Sequence, residues 1–223
     1  MTNATLVALG AIAERQWGLL TTAQATAAGI TRQQLARMAD AGAIERVAQG
    51  VYRMAGAPSQ EHEAIYATWL ALGGATTART ETGVAALVTA GITATVVHGL
   101  GDFFLDGFDF MVPARRGTRL PEVRLRVRQL TREEVMPVNG LPVLTIERTI
   151  ADLVEQWTDL SLVAGVVRDA VFAGRLVAPD RLVGYLDPVA RAQQRRGVGD
   201  GDGRSLAQAL FELAGDAPEG WAA

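Results

Sequence analysis

The sequence predicts an α+β fold in two unequal parts, and three observations carry that expectation. Thr21 and Thr31 are each followed three residues on by glutamine, so two helix starts stand close together near the N-terminus. The hydrophobic period changes from helical to alternating near residue 94 and returns to helical after residue 145. Charge is also partitioned: residues 1–56 hold five arginines against three acids, whereas residues 141–223 hold eight against twelve. A basic head on an acidic body suits a chain that meets nucleic acid at one end.

In the head, Leu6, Leu9, Ile12, Ala13 and Gln16 share one face of a helix over residues 4–16, which Gly18 ends. Thr21-Thr22-Ala23-Gln24 opens a short second helix that stops at Gly29. Thr31-Arg32-Gln33-Gln34 opens a third, running to about Ala41 with Gly42 beyond it. Helix, short Gly-containing turn, helix is the helix-turn-helix layout. Leu35, Met38 and Ala39 fall on the inner side of the third helix, leaving Thr31, Arg32, Gln33, Gln34 and Arg37 outward. Such a face suits a major groove, because Arg pairs bidentately with guanine and Gln with adenine. Ile44–Val47 and Val51–Met54 then flank Ala48-Gln49-Gly50 as a hairpin. A hairpin in that place is a wing, with Arg46, Gln49 and Arg53 directed at the sugar-phosphate backbone. Each signal alone also fits an ordinary solvated face. Their order within fifty-six residues predicts a winged helix-turn-helix DNA-binding domain over residues 1–56.

Residues 57–196 read as an α+β domain with a small sheet followed by C-terminal helices. Ser59 is expected to cap a helix to about Leu72, and an alanine-rich helix is expected near Thr80–Thr89. Strands are expected at Ala94–His98, Phe108–Val112, Glu122–Arg128 and Leu141–Leu144. In the third of these Val123, Leu125 and Val127 alternate with an outward row of Arg124, Arg126 and Arg128. Helices follow at about 146–157, with Thr145 as N-cap, then 160–174 and 180–187, and a further one to Arg196. Residues 197–223 read as a flexible joint with a helix near Ser205–Ala214.

Composition narrows the chemistry. There is no cysteine, and every basic residue is arginine, so thiolate metal sites, Walker A phosphate loops and Schiff-base catalysis are excluded. None of Ser59, Ser161 and Ser205 sits in a G-x-S-x-G elbow. His62 and His98 are too few for a zinc site. Asp109-Phe110-Met111 places methionine where a Mg²⁺ site would need its second carboxylate. Asp200-Gly-Asp202-Gly lacks the later ligands of a calcium loop and reads as linker. No catalytic residue, metal or cofactor is therefore expected. Arg115, Arg116 and Arg119, with the strand row Arg124, Arg126 and Arg128, form the densest positive cluster. It reads equally as a second phosphate-contacting surface or as a charged, solvated sheet face. Arg148 and Asp152 stand one helical turn apart, able to pair as a structural clamp behind Thr145. No basic leader or run of ~18 apolar residues occurs, so a cytoplasmic, bacterial protein without a membrane partner is expected.

Two segments carry a resemblance to a known family. Gly29-Ile-Thr-Arg-Gln-Gln-Leu-Ala-Arg37 leads to Gly42-Ala-Ile-Glu-Arg-Val-Ala-Gln-Gly-Val-Tyr-Arg53, and Gly140-Leu-Pro-Val-Leu-Thr-Ile-Glu-Arg-Thr-Ile-Ala-Asp-Leu153 follows later. Together they resemble the AbiEi-type antitoxins of type IV toxin–antitoxin systems, over roughly residues 5 to 187. The resemblance implies a transcriptional autorepressor that binds operator DNA with inverted repeats. Half-sites follow protein symmetry, so two protomers as a homodimer on that DNA, or two winged helices, are expected to occupy them. It also implies a neighbouring toxin similar to a nucleotidyltransferase, with which no stable complex forms. Two other classes fit the sequence less well: a nucleotidyltransferase- or nuclease-like enzyme, and a protein-interaction module that binds no DNA.

Overall fold

The computed structural model describes residues 3–76, 79–199 and 201–221. Asp200, half of the Asp-Gly-Asp-Gly segment, lies outside the described residues. The chain divides into two compact units, Met1–Thr77 and Ala78–Ala223.

The first unit runs α1 (Asn3–Ala13), β1 (Leu19–Thr21), α2 (Thr22–Ala27), α3 (Arg32–Asp40), β2 (Ile44–Ala48), β3 (Val51–Met54) and α4 (Glu63–Ala71). Its strands form an antiparallel sheet in the order β1-β3-β2, completing a winged helix-turn-helix. Both capping boxes form: Thr21 accepts the Gln24 N–H and Thr31 accepts the Gln34 N–H, while each glutamine side chain returns to its threonine. Leu9, Leu20, Ala25, Ile30, Leu35, Met38 and Ile44 close the core beneath the two helices. Helix α1 stops at Ala13, earlier than its apolar pattern suggests. This frees Gln16 to exchange side-chain hydrogen bonds with Gln24, at 2.6 and 3.1 Å.

The first unit does not close at residue 56. Helix α4 packs on β1, β2 and β3 and belongs to it. Two contacts tie it there: Arg53 donates to Glu63 at 2.8 Å, and Tyr66 stacks on Trp17 at 4.1 Å between ring centroids. Ser59 caps nothing, since α4 begins at Glu63, where that ion pair anchors it.

The second unit contains β4 (Val88–Thr89), α5 (Gly91–His98), β5 (Phe108–Val112), β6 (Val123–Val127), β7 (Val135–Val138), β8 (Leu141–Leu144), α6 (Ile146–Glu155), α7 (Leu160–Phe172), α8 (Pro179–Gln194) and α9 (Gly203–Ala214). The sheet order is β6-β5-β4-β8-β7, with β5–β6 and β4–β8 parallel. Strands β7 and β8 are an antiparallel hairpin turned by Asn139-Gly140, both at positive φ (47° and 88°), the signature of a type I′ turn. An apolar core of Ile150, Leu153, Val163, Val167, Leu182, Leu186, Leu210 and Phe211 gathers α6 to α9.

Ala94–His98 is the body of α5, not a strand. Its β-branched residues suggested extension, but Thr93, Ala94, Thr95 and Val97 are all buried, and packing on every side overrides propensity. The helix expected at Thr80–Thr89 is a turn leading into β4, because the Thr80 hydroxyl accepts the Val84 N–H and Gly83 closes on the Thr80 carbonyl. Helix α8 continues through Pro188, held by buried Leu186, Val189 and Ala190. The segment after residue 197 is not a detached joint: α9 buries Ala207, Leu210 and Phe211 in the shared core.

Helix α6 organises the second unit. Thr145 caps it by accepting the Arg148 N–H. Glu147 accepts the Ala178 N–H at the start of α8, and the Thr149 hydroxyl donates to the Leu144 carbonyl. Asp152 is fully buried and accepts both guanidinium nitrogens of Arg126 at 2.6 Å, plus the Gly91 N–H at 3.0 Å. The expected Arg148–Asp152 clamp does not form. Arg148 donates instead to Glu155 at 2.9 Å and lies 3.9 Å from Glu134, because the β6 arginine offers Asp152 a better-matched fork.

Removing Asp152 strands a guanidinium in a largely dry site. Asp152→Ala should cost about 3–5 kcal/mol in urea denaturation. His98 gives a pH dependence. Its Nε2–H donates to the Leu144 carbonyl at 2.8 Å, so Nδ1 accepts from Arg175 and the ring is neutral. Burial, reinforced by the Arg175 charge, lowers the His98 pKa against the opposing Leu144 bond. A lowered folded-state pKa means the unfolded chain binds the proton more readily, so stability contributed above the ordinary value of 6.5 is lost as pH falls below it. Melting curves from neutral to mildly acidic pH should show that loss in the wild type and a flatter response in His98→Gln.

Candidate nucleic-acid interface

Helix α3 presents its predicted face. Leu35 and Met38 are buried, whereas Thr31, Arg32, Gln33, Gln34, Ala36 and Arg37 are exposed. Neither Arg32 nor Arg37 forms an ion pair among the described residues. Gln34 places its side-chain oxygen in the capping box, accepting the Thr31 N–H at 2.8 Å, so that atom serves the helix start. Gln33 and Arg37, one turn apart, remain the outermost polar pair.

The wing is a β2–β3 hairpin turned by Gln49-Gly50, with a register shift between Arg46 and Ala48. Arg46 and Gln49 are exposed. Thr22 donates both its N–H and its hydroxyl to the Gly50 carbonyl, at 2.8 and 3.3 Å, fixing the wing turn to the start of α2. Arg53 differs from the expectation. Its guanidinium bridges Glu45 and Glu63, and its side chain is only 17% exposed. It joins the wing to α4 and is spent as a phosphate contact. The sequence signal for this was Glu45, two strand positions from Val47 and directly opposite Arg53 in register.

The arginine-rich strand is likewise occupied. Arg124 reaches Asp109 and Asp106, each at 3.1 Å; Arg126 holds Asp152; Arg128 pairs with Glu155. The row at i, i+2 and i+4 therefore faces carboxylates of β5 and α6, while Val127, on the opposite side, is 57% exposed. Asp109 is nearly fully buried, and burial pushes its carboxyl pKa up against the pull of Arg124 and Arg126. Arg115 and Arg119, in the β5–β6 connection, stay exposed, and Arg116 is half-buried. The structure thus separates the two arginine clusters that the sequence presents as alike.

A groove of about 540 Å³ adjoins the interface within the first unit. Thr22 and Thr26 of α2, Gln49 and Gly50 of the wing turn, Arg32, and the chain after α4 border it. The residues after α4 gave no sequence signal for such a place, because a Leu-Gly-Gly-Ala run reads as a helix stop.

Residues 9–55 match a family model described as transcriptional regulator, AbiEi antitoxin. The matched segment contains the first of the two resembling motifs; the second, at residues 140–153, lies beyond it. The crystal structure of the RV2827C protein from Mycobacterium tuberculosis is similar in fold, at 16% sequence identity and a TM-score of 0.55, covering 97% of this chain and 79% of that one. No curated protein matches the chain. No helix among the described residues is long and apolar enough to cross a membrane.

The ion-pairing pattern separates structural from free wing arginines. Arg53→Gln should lower the thermal midpoint, since it breaks the bridge from wing to α4. Arg46→Gln should leave the midpoint within the change expected of a surface substitution, about ±0.5 kcal/mol. Equal melting of the two variants would contradict this assignment.

Proposed function

We propose that the chain is a sequence-specific DNA-binding repressor of its own operon, acting as the antitoxin of a type IV toxin–antitoxin system. The observation that carries this reading is the outer surface of α3, where Arg32, Gln33 and Arg37 are exposed and both arginines lack an ion pair among the described residues. Those residue types complement the base edges of a major groove: Arg donates to the guanine N7 and O6 acceptors, and Gln donates to adenine N7 and accepts from its N6–H. Arg46 and Gln49 of the wing take sugar-phosphate contacts, which fix register without reading sequence. Two copies, paired as a homodimer on the DNA, occupy inverted repeats, since half-sites follow the symmetry of the protein. No catalytic step is part of this function. The functional partner is a neighbouring nucleotidyltransferase-like toxin, countered without a stable complex.

A gel shift with the DNA upstream of the gene tests the proposal. Specific modules bind at roughly 10⁻⁸ M or tighter, far above their affinity for random duplex. Affinity for the upstream fragment no greater than for random DNA would refute the repressor. On the preferred site Arg37→Ala should cost about 1–3 kcal/mol and relax base choice at one position.

A further inference from the structure

The groove beside α2 has three walls. One is the start of α2, with Thr22 and Thr26; the second is the Gln49-Gly50 wing turn; the third is the chain after α4, ending at Thr76. Arg32, from the first turn of α3, completes the border. One arginine and no carboxylate line the groove, so an anion meets an attracting charge and no repelling one there. Its first two walls are fixed to each other by the two bonds from Thr22 to the Gly50 carbonyl. The third wall is fixed as well: Gly73 and Gly74 donate to the Leu70 and Trp69 carbonyls, each at 2.9 Å, and Thr76 to Gly73 at 3.0 Å. A Cβ on Gly74 would stand 2.2 Å from the Trp69 ring, so only glycine lets this turn lie so close to the helix. Thr26, Arg32, Gln49 and Thr76 are all exposed. Small-molecule sites bury most of their ligand; an open, acid-free trough suits a strand passing through.

We infer that this groove seats the sugar-phosphate backbone of one DNA strand, with Arg32 as a phosphate contact and the turn ending at Thr76 as its outer wall. The inference rests on the DNA-binding reading above. It moves Arg32 from the base edges to the backbone and carries the interface past the wing into the segment after α4. Base reading by α3 is left to Gln33 and Arg37.

Fluorescence anisotropy of the full chain, on the upstream duplex and on random duplex across a range of salt concentrations, tests it. Arg32→Ala should weaken both duplexes by the same factor and reduce the slope of log affinity against log salt by about 1. Thr76→Glu, which places a negative charge at an exposed position in the groove, should weaken both by roughly tenfold at low salt. Thr76→Gln, its uncharged counterpart, should bind as the wild type does. Unchanged affinity of Thr76→Glu would remove the groove from the DNA path. Loss of preference for the upstream duplex in Arg32→Ala, with an unchanged salt slope, would return Arg32 to the bases and overturn the assignment. Failure of the wild-type chain to bind either duplex would instead overturn the DNA-binding reading itself.

Discussion

Pairing between arginine and carboxylate is the constraint on which the rest of this structure depends. Arginine is the only basic residue, and its planar fork can satisfy a buried carboxylate with two parallel bonds. Asp152 has no exposed surface, yet sits in the helical layer because Arg126 and the Gly91 N–H meet it. The same logic attaches Arg124 to Asp109, Arg148 to Glu155, and Arg53 to Glu63. Arg126–Asp152 joins β6 to α6, Arg124–Asp109 joins β6 to β5 and Arg53–Glu63 joins β3 to α4, while Arg148–Glu155 braces α6 itself; each pair neutralises a cation. Among the described residues, Arg32 and Arg37 of α3 and Arg46 of the wing keep no ion pair, and these are the arginines on which the proposed function draws.

Helix α6 shows how a conspicuous polar motif can serve the fold. Thr145, Glu147, Arg148, Thr149 and Asp152 hold, respectively, their own helix start, the start of α8, Glu155, the end of β8, and both α5 and β6. A buried helix that crosses several elements must satisfy each polar end it covers, and those side chains do so. The motif is the wiring of the second unit.

Legibility in the sequence followed the locality of the forces. The capping boxes of α2 and α3 depend on residues three apart, and both were readable, as was the exposed face of α3. Strand β6 showed through its strict alternation, and β5 and β8 showed as short apolar runs, β5 closed by Pro113. What failed depended on distant partners. Residues of α5 look like a strand until the packing around Thr93 and Val97 is known. Arg53 looks like a phosphate contact until α4 brings Glu63 to it, and the strand arginines look solvated until Asp106 and Asp109 meet Arg124 and α6 brings Asp152 and Glu155 to Arg126 and Arg128. The β7–β8 hairpin was within reach, because Asn139-Gly140 is a strong turn signal flanked by Val-rich runs.

Residue-resolved amide NMR of the full chain, titrated with duplex from upstream of its gene, tests the division between paired and unpaired arginines most directly. The structure's division of arginines predicts signal changes concentrated at Thr31–Arg37 and at the Arg46–Gln49 wing, with Arg124–Arg128 unmoved. Changes centred on Arg124–Arg128, with α3 unaffected, would contradict it.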